Sequence, residues 1–205
     1  MNTARFQDLI DSPLLPRIVE TLTAVVEQER RARAEFYATV RDDQKAEFIN
    51  GEVIYHSPAK HRHNRLSTHI VRLLANYVHE HQLGFVAVEK AMISLTRNDY
   101  EPDICFWTAS RAATFDPDLM HYPAPDFVVE IPSRSTAARD RGVKREDYAA
   151  HGVREYWIVD PVGHAIEQYV LEGDCFALVT TKGEGTITSV AVPGWAFDVT
   201  AAFAG

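Results

Sequence analysis

The chain has 205 residues, 46% of them hydrophobic and 24% charged, with a formal net charge of -8. A length close to the roughly 100–200 residues of an ordinary domain fits one globular unit, and the apolar content excludes a disordered chain. The acidic balance excludes a protein that coats nucleic acid through bulk positive charge, while leaving room for a local basic cleft.

Residues 14–37 place Leu14, Ile18, Leu22 and Val25 at helical spacing, ahead of a charged stretch with Glu27, Glu29, Arg30 and Arg31, which predicts an N-terminal amphipathic helix. EFINGEVIY then predicts a hairpin over 46–55, since both residues of an Asn50-Gly51 turn accept positive φ. That turn would set Ile49 opposite Glu52 and Glu47 opposite Ile54, with both glutamates on one face. Leu66, Ile70, Leu73, Leu74, Tyr77 and Val78 predict a long helix over 60–82, with Arg62, Arg65, His69 and Arg72 outward.

FVAVEKAMISL reads as one strand ended by the turn TRND. EPDICFW reads as a second, in which Asp103, Cys105 and Trp107 share a face. The stretch 108–125, with three prolines, reads as an inserted loop. DFVVEI is nearly continuous in apolar residues, as in a strand covered on both sides. STAARDRGVKREDYAAHG predicts a helix closed by Gly152, and EYWIVD another buried strand. Beyond Pro161, short strands separated by Gly-containing turns read as a meander continuing the same sheet. The expectation is one α/β domain over 1–205: an N-terminal helix (14–37), a core (46–160) and a β-meander extension (161–205).

Cys105 and Cys175 each lie in an apolar, strand-like run, which reads as two buried thiols in a reducing cytosol. No CxxC or Cys/His zinc spacing is present. The N-terminal residues include Arg5, Asp8 and Asp11 and form no signal-like apolar core, and no run approaches the roughly 18 apolar residues of a spanning helix. A cytoplasmic protein without a membrane segment is expected.

Acids that interrupt buried strands carry the chemical information. Asp103 follows Pro102 at the head of a strand, and Glu130 ends DFVVE between Val129 and Ile131. A shared divalent cation would be an economical partner for both, because magnesium is commonly held by one or two carboxylates plus substrate phosphate. A salt bridge to a nearby arginine is the plainer reading. The helix after Glu130 carries Arg134, Arg139, Arg141, Lys144 and Arg145 against the lone acid Asp140. It reads either as a solvated face or as a cationic rim for a phosphodiester, with Lys144 nearest the reacting centre. Lys60, Arg62 and Arg65 form a second basic start, where His61 and His63 at i, i+2 do not share a helix face. His63 is a candidate site residue, as is Glu47, the hairpin glutamate farther from the turn.

The ordered segments EFINGEVIYHSPAKHRH, EPDICFW, APDFVVEI and DRGVKREDYAAHGVREYWIVDP, with the meander after them, resemble the Uma-two family of restriction endonucleases, a branch of the PD-(D/E)XK nuclease superfamily. The resemblance spans about residues 14–200. It implies a restriction-endonuclease-like α-β-β-β-α-β core, and it implies Asp103 and Glu130 as ligands of magnesium or manganese. The implied activity is endonucleolytic hydrolysis of DNA by a metal-activated water. Pro132 stands where the superfamily motif has lysine. In the family's DRGxK stretch a lysine on the next helix takes its place, here Lys144. Ser133-Arg134-Ser135 departs from the family's Ser-Pro-Ser. Arg62, Arg65, Arg139 and Arg141 would contact DNA phosphates, and a homodimer would suit duplex cleavage. The alternatives are a nuclease-like module that binds DNA or protein without cutting, and a hydrolase of another phosphoester.

Overall fold

The computed structural model describes residues 3–41 and 43–204, and the chain divides into two compact units at His56/Ser57. In the first, helix α1 (Thr3–Ile10) precedes α2 (Leu15–Thr39), whose Pro16 occupies the first turn, where a missing N–H costs nothing. Strands β1 (Ala46–Ile49) and β2 (Glu52–Tyr55) form the expected hairpin, with Glu47 opposite Ile54 and Ile49 opposite Glu52. Asn50 and Gly51 both take positive φ, 51° and 88°, the geometry that matches the twist of a two-residue hairpin. The last turns of α2 pack on this hairpin. Phe36 stacks on Phe48 with centroids 5.9 Å apart, and a Cβ on Gly51 would come within 3.0 Å of the Glu29 side chain.

The second unit begins with α3 (His61–Glu80), followed by β3 (Gly84–Val88), β4 (Met92–Ser94), β5 (Asp99–Tyr100), β6 (Ile104–Thr108), α4 (Ala109–Ala112), β7 (His121–Tyr122) and β8 (Phe127–Glu130). Then come α5 (Ala137–Arg139), α6 (Arg145–Ala150) and β9 (Glu155–Asp160). The chain ends with β10 (Ala165–Glu172), β11 (Cys175–Lys182), β12 (Thr186–Thr188), β13 (Ala196–Asp198) and α7 (Val199–Phe203). A six-stranded sheet runs β11-β10-β9-β8-β6-β3. Its neighbours are antiparallel except β8 and β9, which are parallel and therefore need a crossover, supplied by the helical segment between them.

Alternation along the strands gives the sheet two different faces. Ile104, Phe106, Phe127, Val129, Trp157 and Val159 pack with Leu66, Ile70, Leu74 and Val78 of α3 in the main core, where Trp157 stacks on Trp195 at 5.4 Å. The opposite face carries Asp103, Cys105 and Glu130, with Tyr148 of α6 against Tyr156 of β9. The order α3-β3-β6-β8-α6-β9 is the α-β-β-β-α-β core expected from the sequence.

Several local expectations change. FVAVEKAMISL is two strands in different sheets, because Glu89 takes φ 52° and Lys90 N bonds back to Val88 O at 2.6 Å, a three-residue turn that ends β3. The stretch 108–125 contains a helical turn, α4, and the strand β7, which runs parallel to β4. The helix expected over 135–152 is broken at Gly142, whose φ/ψ of -109°/-108° separates α5 from α6 across an irregular turn. The meander only partly continues the sheet, since β12 and β13 pair separately. Cys175 is exposed rather than buried, because β11 is an edge strand with half of its residues facing outward.

Candidate active site at the ends of β6 and β8

The ladder that joins β6 to β8 pairs Ile104 with Val129. One step further, Asp103 and Glu130 reach the same end of the sheet, and the two-residue period puts them on the same face. Both are buried, each about 4% exposed, where an ionised carboxylate needs compensating partners. Asp103 Oδ2 accepts the Ile131 N–H at 2.7 Å, and its Oδ1 lies 3.3 Å from His63 Nε2. His63 Nδ1 lies 3.0 Å from the Ile131 carbonyl oxygen. The ring thus bridges the Asp103 carboxylate and the strand end at Ile131.

Lys144 lies in the irregular turn between α5 and α6 and is itself buried. Its Nζ donates to Glu130 Oε1 at 2.9 Å and lies 3.4 Å from Asp140 Oδ1 and 5.6 Å from the centroid of the Tyr100 ring. Tyr148 O–H points to the same Glu130 oxygen at 3.4 Å. Tyr100 O–H and Asn98 Nδ2 both donate to Asp147 Oδ2, at 2.8 and 2.6 Å, and His151 Nδ1 lies 3.1 Å from Asp147 Oδ1. The ring beneath the lysine is thereby fixed from behind. The Cys105 thiol, on the same face as Asp103, is held well above its usual range by burial and then by the charge of Glu130.

The structure thus brings together Asp103, Glu130, Lys144 and His63. Arg141 is held by Glu167 through Nε and Nη2, at 3.1 and 2.5 Å, a bond that raises its already high pKa. Arg65 donates to the carbonyls of Ala204 and Phe203. Arg62 is exposed at the start of α3, and the Nε of half-buried Arg139 is buried with no hydrogen-bond partner. Glu47 belongs to the first unit, where it is fully buried and faces His56 Nε2 at 3.1 Å. Sequence reasoning counted Asp140 only as the lone acid of a basic run. Its position four residues before Lys144 was the available signal, because i, i+4 places two side chains on one helical face. Tyr100, Asp147, Tyr148 and His151 carried no comparable mark.

The donor set suits a hard divalent cation, because two carboxylates on adjacent strand ends are oxygen ligands of the kind magnesium takes while keeping several of its waters. Among the described residues no group of three or more His, Cys, Asp or Glu is arranged to hold a metal, so a cation here would rest on the two acids. No described helix is long and apolar enough to cross a membrane.

The element order and the paired strand ends define a restriction-endonuclease-like fold. A crystal structure described as "a putative nuclease belonging to DUF820" from Anabaena variabilis matches it with a TM-score of 0.70 at 16% identity, covering 83% of this chain and 96% of that one. The family model described as "Putative restriction endonuclease", Uma2, matches residues 33–200, and the chain belongs to that family. A protein of Synechocystis sp. described as uncharacterised is 30% identical over 139 residues, which are 67% of this chain and 78% of its own length.

Proposed function

We propose that the chain is a metal-dependent endonuclease that hydrolyses DNA phosphodiester bonds at the ends of β6 and β8. The supporting observation is the 2.9 Å approach of Lys144 Nζ to Glu130 Oε1, on the sheet face and at the strand end that also carry Asp103. Lys144 reaches from the following helical segment to the place that Pro132 leaves without a cation. When bound by Asp103 and Glu130, a divalent cation would supply an acidified water and neutralise charge on the phosphate. The Lys144 ammonium orients the attacking water and offsets the negative charge that grows on the scissile group. Asp140, the Tyr100 ring and Tyr148 hold the lysine and Glu130 in position. His63 and the Ile131 N–H fix the Asp103 carboxylate. Arg62 and Arg139 serve as phosphate contacts, whereas Arg65 and Arg141 bind acceptors of the protein itself.

The test is conversion of supercoiled plasmid to nicked and linear forms with magnesium or manganese, comparing wild type with Asp103→Asn and Glu130→Gln. Wild type alone should cut, and a chelator should stop it. Equal cutting by all three proteins would assign the activity to a contaminant. A correctly folded wild type that binds DNA without cutting under any divalent metal would favour the non-cutting module.

A further inference from the structure

One face of α2 is used twice in different ways. Toward its C-terminal end, Glu29 lies over Gly51 and Phe36 stacks on Phe48, so the hairpin covers that half. Toward its N-terminal end the same stripe continues through Leu15, Ile18, Leu22 and Val25 in steps of three, four and three, with Val19 and Val26 alongside. Here Val19, Leu22, Val25 and Val26 are each between 42% and 55% exposed, and Phe6, Leu9, Ile10 and Leu14 of the preceding segment are exposed as well. Steps of three and four are the seam of one helix packing on another, and singly scattered exposed apolar residues would not form such a stripe.

Together these side chains expose about 600–700 Å², close to the roughly 800 Å² that each partner contributes to a standard stable interface. The chemistry of the surroundings narrows the occupant. Between residues 6 and 28 the charged residues are Asp8, Asp11, Glu20 and Glu27 against Arg17 alone, so the face lacks the basic rim that an amphipathic helix needs to bind anionic lipid or DNA. A stripe whose own positions, Leu15, Ile18, Val19, Leu22, Val25 and Val26, carry no charge is complementary to itself, which is the requirement for a two-fold contact between identical chains.

We infer that α1 and the N-terminal half of α2 form a homodimer interface, in which a second copy of this chain packs α2 against α2 with Leu22 at the two-fold axis. The contact does not depend on the nuclease reading, because its test measures mass and not cutting. Light scattering coupled to size exclusion should give twice the chain mass for the full-length protein. Leu22→Glu combined with Val25→Glu should give a monomer with unchanged circular dichroism. In a Cys175→Ser background, Leu22→Cys should form a disulfide-linked dimer on mild oxidation. A monomeric wild type would overturn the inference, as would a dimer that survives L22E/V25E or a Leu22→Cys chain that fails to cross-link. Wild type that stays monomeric and floats with phosphatidylserine vesicles would assign the face to a membrane and overturn it equally.

Discussion

Lys144 is a buried cation between the carboxylates of Glu130 and Asp140, so its removal has two separable effects. Lys144→Met leaves two buried acids without their cation, a change that typically costs about 3–5 kcal/mol; urea unfolding should show that loss. Cutting should fall by about 100-fold or more, the usual effect of losing one charge-stabilising donor. Lys144→Arg keeps the charge but replaces a compact ammonium with a planar fork. It should therefore recover stability better than cutting. Asp160 is a simpler case, with Oδ1 accepting the N–H groups of Val162 and Gly163 at 2.8 and 2.9 Å. Burial acts to raise its pKa, but those two N–H groups and nearby Arg141 and His164 outweigh it and leave it below the ordinary value of 3.8. A depressed carboxyl contributes stability above its unfolded pKa and loses it as pH falls through the folded value. Asp160→Ala should thus cost about 1–2 kcal/mol at neutral pH, and the difference from wild type should begin to shrink near pH 3.8 and keep shrinking as pH falls through the lower folded value. Asp103 and Glu130 were legible in the sequence because each interrupts an apolar strand. Tyr100 and Tyr148 were not, because an aromatic residue in an apolar pattern looks the same whether it fills a core or supports a lysine.

Elements with a clean period were read closely, and those broken by backbone geometry were not. The hairpin register followed from Asn50-Gly51 alone, because a two-residue turn leaves one way to pair the strands. The turn at Glu89 was invisible, since it uses neither Gly nor Pro to reach φ 52°. Gly142 was visible, but a single glycine inside a helical pattern is usually tolerated; only the fold reveals that it splits the helix and sets Lys144 beside Glu130. Strand β9 carries a further unread device in Glu155, which is fully buried. One of its oxygens accepts from Trp157 Nε1 and Gln168 Nε2, and the other from Ser189 Oγ and the N–H groups of Val190 and Ala191. It ties the segment before β13 to the central sheet. Glu155→Gln places an amide donor among those donors, so it should cost about 3 kcal/mol or more. It should also make the 189–194 segment the first site of limited proteolysis, while the dimer contact through Leu22 stays intact.

At the scale of the molecule, the two basic stretches at 60–65 and 134–145 sit on a chain whose total is -8, so the remaining body is more acidic than the average suggests. Lys144 and Arg141 of those stretches are paired with acids of the protein itself, which leaves Arg62 and Arg139 as the proposed phosphate contacts, so affinity for DNA should fall with added salt with a slope of only about two in log–log terms. One cleft cuts one strand, and a duplex presents its two strands related by a two-fold axis. A symmetric dimer matches that symmetry, so the α2 contact and the strand-end site make a joint prediction. Wild type should produce linear plasmid early, before nicked molecules accumulate, because both cuts come from one bound dimer. L22E/V25E alters no residue of the proposed site, so it should still nick at a comparable rate per chain. Its linear product should appear only late, after independent second cuts. Gel time courses at equal chain concentration separate the cases. Linear product formed as early by the monomeric variant as by wild type would show that one chain makes both cuts and that pairing through α2 serves some other purpose.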